Sequence, residues 1–188
     1  MSLVHATTEK TNMVTRKNLS RTELNTLYWN MYNRCYGENY LEKNPKYRGC
    51  TICEEWLTDK ESFYDWASEN YYVIDGEQVD LDKDILVKDN KVYSPETCIF
   101  APHIINTYYE RLIRNPVKTK NGKYQMSLTV DGKTVSLGIF DTEEEAKNEY
   151  IKHKQAAILA KADLYKDKIP AQLYKAMTDF TIELSDWK

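Results

Sequence analysis

Carboxylates and amines are sorted along this chain of 188 residues in a way that its net charge of −3 conceals. Between Asp75 and Asp89 stand six acids (Asp75, Glu77, Asp80, Asp82, Asp84, Asp89) against Lys83 and Lys88. From Arg111 to Gly138 the balance reverses, with six bases (Arg111, Arg114, Lys118, Lys120, Lys123, Lys133) against Asp131. A compact group of carboxylates can hold a hard divalent cation and a basic surface can hold phosphates, so the layout suits an enzyme of nucleic acids. Solvated loops of opposite sign would give the same tally, and charge by itself leaves both readings open. Cysteine offers another chemistry. Cys50-x-x-Cys53 has the spacing of a zinc knuckle, and Cys35 and Cys98 could complete a tetrahedral structural Zn²⁺ site. Burial beside Trp56 and Phe100 accounts for the same thiols without metal, since free cysteine is often a core residue.

The chain that must position these groups is 41% hydrophobic and 29% charged, with six Gly and five Pro. That is the composition of one or two small globular domains, and it excludes disordered and collagen-like classes. No stretch approaches the roughly 20 apolar residues that cross a bilayer, and residues 1–19 lack the basic-then-apolar order of a signal peptide. A cytoplasmic protein with no membrane partner is expected. Its core is large enough to need no disulfide staples.

Residues 1–19 show no periodicity and read as a mobile leader. Ser20 with Glu23 forms a capping-box pattern, and Leu24, Leu27, Tyr28, Met31 and Cys35 recur at helical spacing, which predicts a helix over 21–35. Thr58 with Glu61 predicts another helix start, with Phe63, Trp66 and Ala67 on one face. From Tyr71 to Phe100 the pattern is strand-like. Tyr71 to Ile74, Val79 to Leu86 and Val92-Tyr93 are separated by turn residues, which suggests a hairpin, and a helix is expected from Pro102 with Ile104, Ile105, Tyr108, Tyr109 and Leu112 as its stripe. Further on, Tyr124, Met126, Leu128 and Val130 alternate with Lys123, Gln125, Ser127 and Thr129, a strand with one apolar and one polar face. Asp131-Gly132 fits a two-residue hairpin turn, and Lys133 to Leu137 returns beside the first strand. Thr142 with Glu145 caps a helix of about 20 residues, and a last helix starts near Pro170.

Lys123 to Leu128, Gly132-Lys133, and the run Leu137-Gly138-Ile139-Phe140-Asp141-Thr142-Glu143-Glu144-Glu145-Ala146 followed by Tyr150 resemble the APETALA-type DNA-binding domain of plant ethylene-response factors and phage endonucleases. The likeness spans about residues 114–165. It implies a three-stranded sheet whose exposed face enters the major groove of double-stranded DNA, backed by a helix. The polar face would be Lys123, Gln125, Ser127, Thr129, Thr134 and Ser136, with Arg111, Arg114, Lys118, Lys120 and Lys133 available to phosphates. This face holds more Gln, Ser and Thr, and less Arg and Trp, than the family's usual sheet.

Leu81 to Leu86, then Asn90 to Pro102, then Ile105-Asn106 resemble the strand, strand, helix metal finger of HNH endonucleases, and the chain from Trp29 is similar to phage HNH or homing endonucleases with an APETALA-type tail. The resemblance implies a divalent ion, Mg²⁺ or Mn²⁺, held by Asp82 with Asn106 or His103. Asp84 is a further acid of the site. Lys83 occupies the place of the family's general-base histidine. A lysine of ordinary pKa is an ammonium at neutral pH, and Asp82 and Asp84 favour that form, so Lys83 is suited to stabilising charge. The family's central Asn has Tyr93-Ser94 or Asn90 near its place.

Together these readings predict an α+β chain. A leader (1–19) precedes helices and a degenerate ββα metal finger (20–113), followed by a three-stranded antiparallel sheet packed on a long helix and a final short helix (114–188). The function implied is site-directed hydrolysis of DNA. The alternatives are a nuclease-dead repressor or competitor that uses the same DNA-binding half, and an inhibitor that binds a host or rival protein through the acidic first half.

Overall fold

The computed structural model describes residues 14–110 and 113–187. Helix α1, Arg21–Tyr36, begins at the expected capping box, in which Ser20 Oγ accepts from the Glu23 amide and the Glu23 carboxylate accepts from the Ser20 amide. Its stripe of Leu24, Tyr28, Met31 and Cys35 is buried. After α2 (Glu38–Lys43) and a short 3₁₀ turn comes the two-residue strand β1, Thr51–Ile52, then α3 (Glu54–Thr58) and α4 (Lys60–Asn70). The cap of α4 is Asp59 rather than Thr58. The Asp59 carboxylate accepts the Glu61 amide at 2.9 Å, while the Thr58 hydroxyl bonds back to Glu54 inside α3. Trp56, Phe63 and Trp66 meet edge-on or tilted at 5.0–6.2 Å, and Trp56 and Phe63 are fully enclosed.

Strand β2, Val79–Asp82, pairs antiparallel with β4, Ile99–Pro102, placing Asp82 opposite Ile99. The expected hairpin partner, β3 at Val92–Tyr93, instead pairs parallel with β1. The reason lies in burial: all four residues of β4 are buried, and such a strand reads as an unbroken apolar run without alternation. Residues 83–98 are therefore an excursion from the β2–β4 pair, not its turn. Tyr71 to Ile74 make isolated bridges rather than a strand, and one of them joins Tyr72 to Arg16. With Val73 N bonded to Thr15 O at 2.9 Å, the end of the supposed mobile leader is paired to the fold. Helix α5, His103–Glu110, follows β4 without a linker. Leu112, expected on its stripe, lies outside the described residues.

The second sheet has the expected order. Strand β5 (Val117–Lys118) pairs with β6 (Tyr124–Val130), which pairs with β7 (Lys133–Phe140), all antiparallel. Asp131 and Gly132 close the β6–β7 hairpin with φ of 48° and 76°, the left-handed pair that a tight turn of this hand demands. Met126 and Leu128 face α6, Glu143–Tyr165, where Ala146 and Tyr150 complete a small core. Thr142 and Glu145 cap α6 reciprocally. The far half of α6 (Ile158, Ala162, Tyr165) and α7, Ala171–Asp179 (Leu173, Met177), join the core of the first half. Helix α6 thus ties the sheet to the rest of the molecule. Among the described residues no helix is long and apolar enough to cross a membrane.

Candidate functional site

Where β2 ends, Asp82 is pulled inward. Its Oδ1 accepts the amides of Asp84 and Ile85, both at 2.7 Å, a turn that fixes the carboxylate on its own backbone. Burial, helped by the charge of Asp84, pushes the Asp82 carboxyl up to about 6, against the pull of those two amides and of Lys83. No described residue bonds its second oxygen. Helix α5 supplies the facing wall: Asn106 Oδ1 and the Tyr109 hydroxyl are buried without a hydrogen-bond partner, and Tyr109 is only 8% exposed. All three line one cavity of about 250 Å³. A buried oxygen left unpaired costs on the order of 1–3 kcal/mol, so Asn106 Oδ1 and the Tyr109 hydroxyl, beside the Asp82 carboxylate, are groups that a donor or a cation would satisfy. A carboxylate, an amide oxygen and a phenol form an all-oxygen set, which suits a hard divalent ion.

Cations ring the same cavity. Arg34 of α1 donates to Leu81 O at 3.1 Å and lies over the Tyr47 ring, and Lys46, Lys88 and Lys91 stand on the rim. Sequence reasoning did not single out these residues or Tyr109 for the site. Arg34 and Lys46 come from elements far from the acidic run, and Tyr109 carried only the signal of an apolar stripe.

Lys83 and Asp84 line the same cavity, whereas His103 does not. Lys83 is 4% exposed, and its ammonium bonds the Asp84 carboxylate and, at 2.9 Å, Asn90 O. Asn90 Nδ2 returns bonds to Lys83 O and Val92 O at 2.8 and 2.7 Å. Lys83 and Asn90 thus latch the 83–90 excursion, and Lys83 is a positioning residue that holds the Asp82 turn. Asp84 lies half-exposed beside it, on the cavity wall. His103 does not join the set. Asn106 and Tyr109 line this cavity, while His103 and Thr107 line the neighbouring one and His103 Nδ1 meets the Asp80 carboxylate.

The four cysteines are free thiols. Cys35 feels Cys50, and Cys98 feels Cys53. Burial pushes the Cys35 thiol up to about 12 and raises Cys53 and Cys98 as well. Among the described residues no group of three or more His, Cys, Asp or Glu side chains is gathered to hold a metal, so the expected zinc tetrad is not assembled.

The outer face of the three-stranded sheet carries Gln125, Ser127, Thr129, Thr134 and Ser136, as alternation predicts. Two aliphatic residues join them. Val117, Gln125 and Ile139 form one row across the three strands, with Val117 and Ile139 61% and 60% exposed. The next rows are Ser127 with Ser136 and Thr129 with Thr134, the last pair bonded at 2.9 Å. Lys123 turns to Asp141 at 2.8 Å, Lys118 lies over the Tyr124 ring, and Lys120 and Lys133 are exposed at the sheet ends. Arg114 reaches Thr129 Oγ1 at 3.4 Å, whereas Arg111 falls outside the described residues. The face is therefore neutral with cations at its margin, an arrangement able to touch base edges at the centre and phosphates at the rim. No family model, no curated protein and no solved structure matches this chain, so its chemistry is argued from this geometry.

Proposed function

We propose that the chain binds double-stranded DNA through the outer face of its sheet and hydrolyses phosphodiester bonds at the Asp82 cavity with Mg²⁺ or Mn²⁺, in the manner implied by its resemblance to phage HNH endonucleases with an APETALA-type tail. The observation that carries this reading is that the buried Asp82 carboxylate shares one cation-rimmed cavity with Asn106 and Tyr109, whose side-chain oxygens are buried without a hydrogen-bond partner. Asp82 and Asn106 would hold the divalent ion, which when bound supplies Lewis-acid polarisation of the phosphate. Arg34 and the rim lysines orient the phosphate and offset charge as it develops on the oxygens. Asp84, on the wall, is the carboxylate placed to take the proton of an attacking water.

One observation favours a second reading. No histidine lines the cavity, and Lys83 is committed to its latch. A chain with the metal ligands but no efficient base fits a nuclease-dead repressor or competitor that keeps the DNA-binding half.

Supercoiled plasmid carrying DNA that flanks the chain's own coding sequence, incubated with Mg²⁺, Mn²⁺ or chelator, separates the two. Metal-dependent nicking that Asp82→Ala removes supports the nuclease. Specific retention without cleavage supports the repressor. No retention at physiological salt overturns both and leaves a protein-binding inhibitor.

A further inference from the structure

Across α5 from the Asp82 cavity lies a larger one of about 720 Å³, walled by α5, the β6–β7 hairpin and α6. Lys154 of α6 forms part of it. The residue is only 3% exposed, and its ammonium sits 5.1 Å from the centre of the Tyr108 ring. Among the described residues no carboxylate or carbonyl oxygen bonds it. Lys161, two turns along the same helix and over the same ring, is the contrast: it is paired with Asp131 at 2.9 Å. Tyr108 also donates to Asp131, at 3.0 Å, so that carboxylate is already engaged twice.

His103 lines the cavity too, but it is taken up by Asp80. That leaves Lys154 and Arg114 in the cavity lining with one carboxylate, Asp131, which is itself paired with Lys161. Burial has pushed the Lys154 ammonium down to about 8, which measures how poorly the site solvates it. A methionine would fill the same space at no such cost, so the charge is retained against the packing.

We propose that this cavity binds a phosphoryl group, held between the Lys154 ammonium and the Arg114 guanidinium with the Thr129 hydroxyl as a further donor. Two cations and a hydroxyl lining one cavity match the several oxygens of a phosphate better than a lone carboxylate. The volume leaves room for more than the phosphate itself. Thr129 belongs both to this wall and to the outer face of the sheet, so the cavity opens at the sheet's margin. The phosphate is therefore either a backbone phosphate of nucleic acid lying along the sheet or that of a free mononucleotide. The inference stands on the cavity alone and does not need the Asp82 reading.

The test uses the full chain and inorganic phosphate, AMP and a short DNA duplex as probes. Acetic anhydride at pH 8 labels amines, and mass spectrometry follows Lys154 against exposed Lys152 of the same helix. At a probe concentration about ten times its Kd, Lys154 acetylation should fall about tenfold. Protection by phosphate or AMP, with Lys152 unchanged and lost probe binding in Lys154→Met, assigns a free phosphate ligand. Protection by duplex alone, with Lys154→Met lowering the dependence of log K on log salt by about one, assigns a backbone phosphate. If no probe protects Lys154, or if Lys154→Met binds all three as the parent does, the proposal is wrong.

Discussion

The two sides of α5 border cavities of opposite need. On one side Asn106 and Tyr109 present oxygens without partners beside the Asp82 carboxylate; on the other Lys154 presents an ammonium that lies over the Tyr108 ring and bonds no described carboxylate. Neither character is visible in the charge of the segment that supplies it. Within the acidic run Glu77 accepts from Tyr165, Asp80 meets His103 and Asp84 pairs with Lys83, whereas the buried Asp82 bonds only the amides of its own turn. The unpartnered cation, in turn, lies outside the basic run. What makes a site here is the unsatisfied residue left after neighbouring charges have cancelled.

If the oxygen-rich side is the reacting one, substitutions there act on rate and leave DNA retention alone. Asp82→Ala should lower metal-dependent cleavage by about 10³-fold or more, with unchanged retention in a gel-shift assay. Asn106→Ala should lower it less. Equal cleavage by the parent and Asp82→Ala would remove the distinction between the two cavities, since neither would then be shown to react.

The ammonium side makes its prediction in stability. Burial lowers Lys154 from the usual 10.5 to about 8. Below pH 8 folded and unfolded chains both hold the proton, and the folded chain bears the full cost of the buried charge. Between about 8 and 10.5 the folded state binds fewer protons, so stability contributed by this residue rises with pH. Lys154→Met should therefore be more stable than the parent by about 3 kcal/mol at pH 7, and the advantage should vanish above about pH 10.5. The groups facing Lys154 keep that window clean: Tyr108 and Tyr150 are shifted upward by burial, Asp131 is held low chiefly by Lys161, and His103 is paired with Asp80. Urea denaturation of both proteins at pH 7, 9 and 10.5 reads the difference. A destabilised Lys154→Met at pH 7 would mean that the ammonium has a partner in the folded state.

Short-range chemistry was readable before the structure, and long-range placement was not. The capping boxes at Ser20 and Thr142, the Asp131-Gly132 turn and the alternation of β6 depend on residues within a few positions of each other, and each stands as the sequence predicts. The β2–β4 pairing failed to show because its strands are separated by the 83–98 excursion and β4 is buried throughout. Asp82 and Asn106, named by resemblance, line one cavity. Their partner Tyr109 was hidden because a buried tyrosine looks the same in sequence whether or not its hydroxyl is bonded. His103 lines the neighbouring cavity and meets Asp80, a pairing across 23 positions that spacing along the chain does not show.

On the sheet, neutrality makes its own test of how far the rim and the centre differ. Gln125 can bond adenine edge-on, and Val117 and Ile139 beside it can touch a thymine methyl. Gln125→Ala should weaken binding to the best-retained duplex by about 2 kcal/mol and relax its sequence preference. Lys120→Ala, a rim change, should weaken all duplexes alike and reduce the salt dependence. Identical behaviour of the two variants in salt-titrated gel shifts would place the reading surface elsewhere.

The smallest effect has the most telling sign. Asp131 is half-exposed and supplies the one carboxylate beside Lys154 and Lys161. Asparagine keeps an oxygen for the Tyr108 hydroxyl and tolerates the positive φ of 48° at this turn, so Asp131→Asn removes charge with little else. Screening at an exposed site limits the gain to about 0.5–1 kcal/mol, or a two- to fivefold tighter hold on phosphate. A surface ion pair that matters chiefly for folding would show the opposite, a less stable protein with unchanged phosphate affinity. Isothermal titration with AMP, beside the melting temperature, distinguishes a carboxylate that competes with a bound phosphate from one that merely neutralises Lys161.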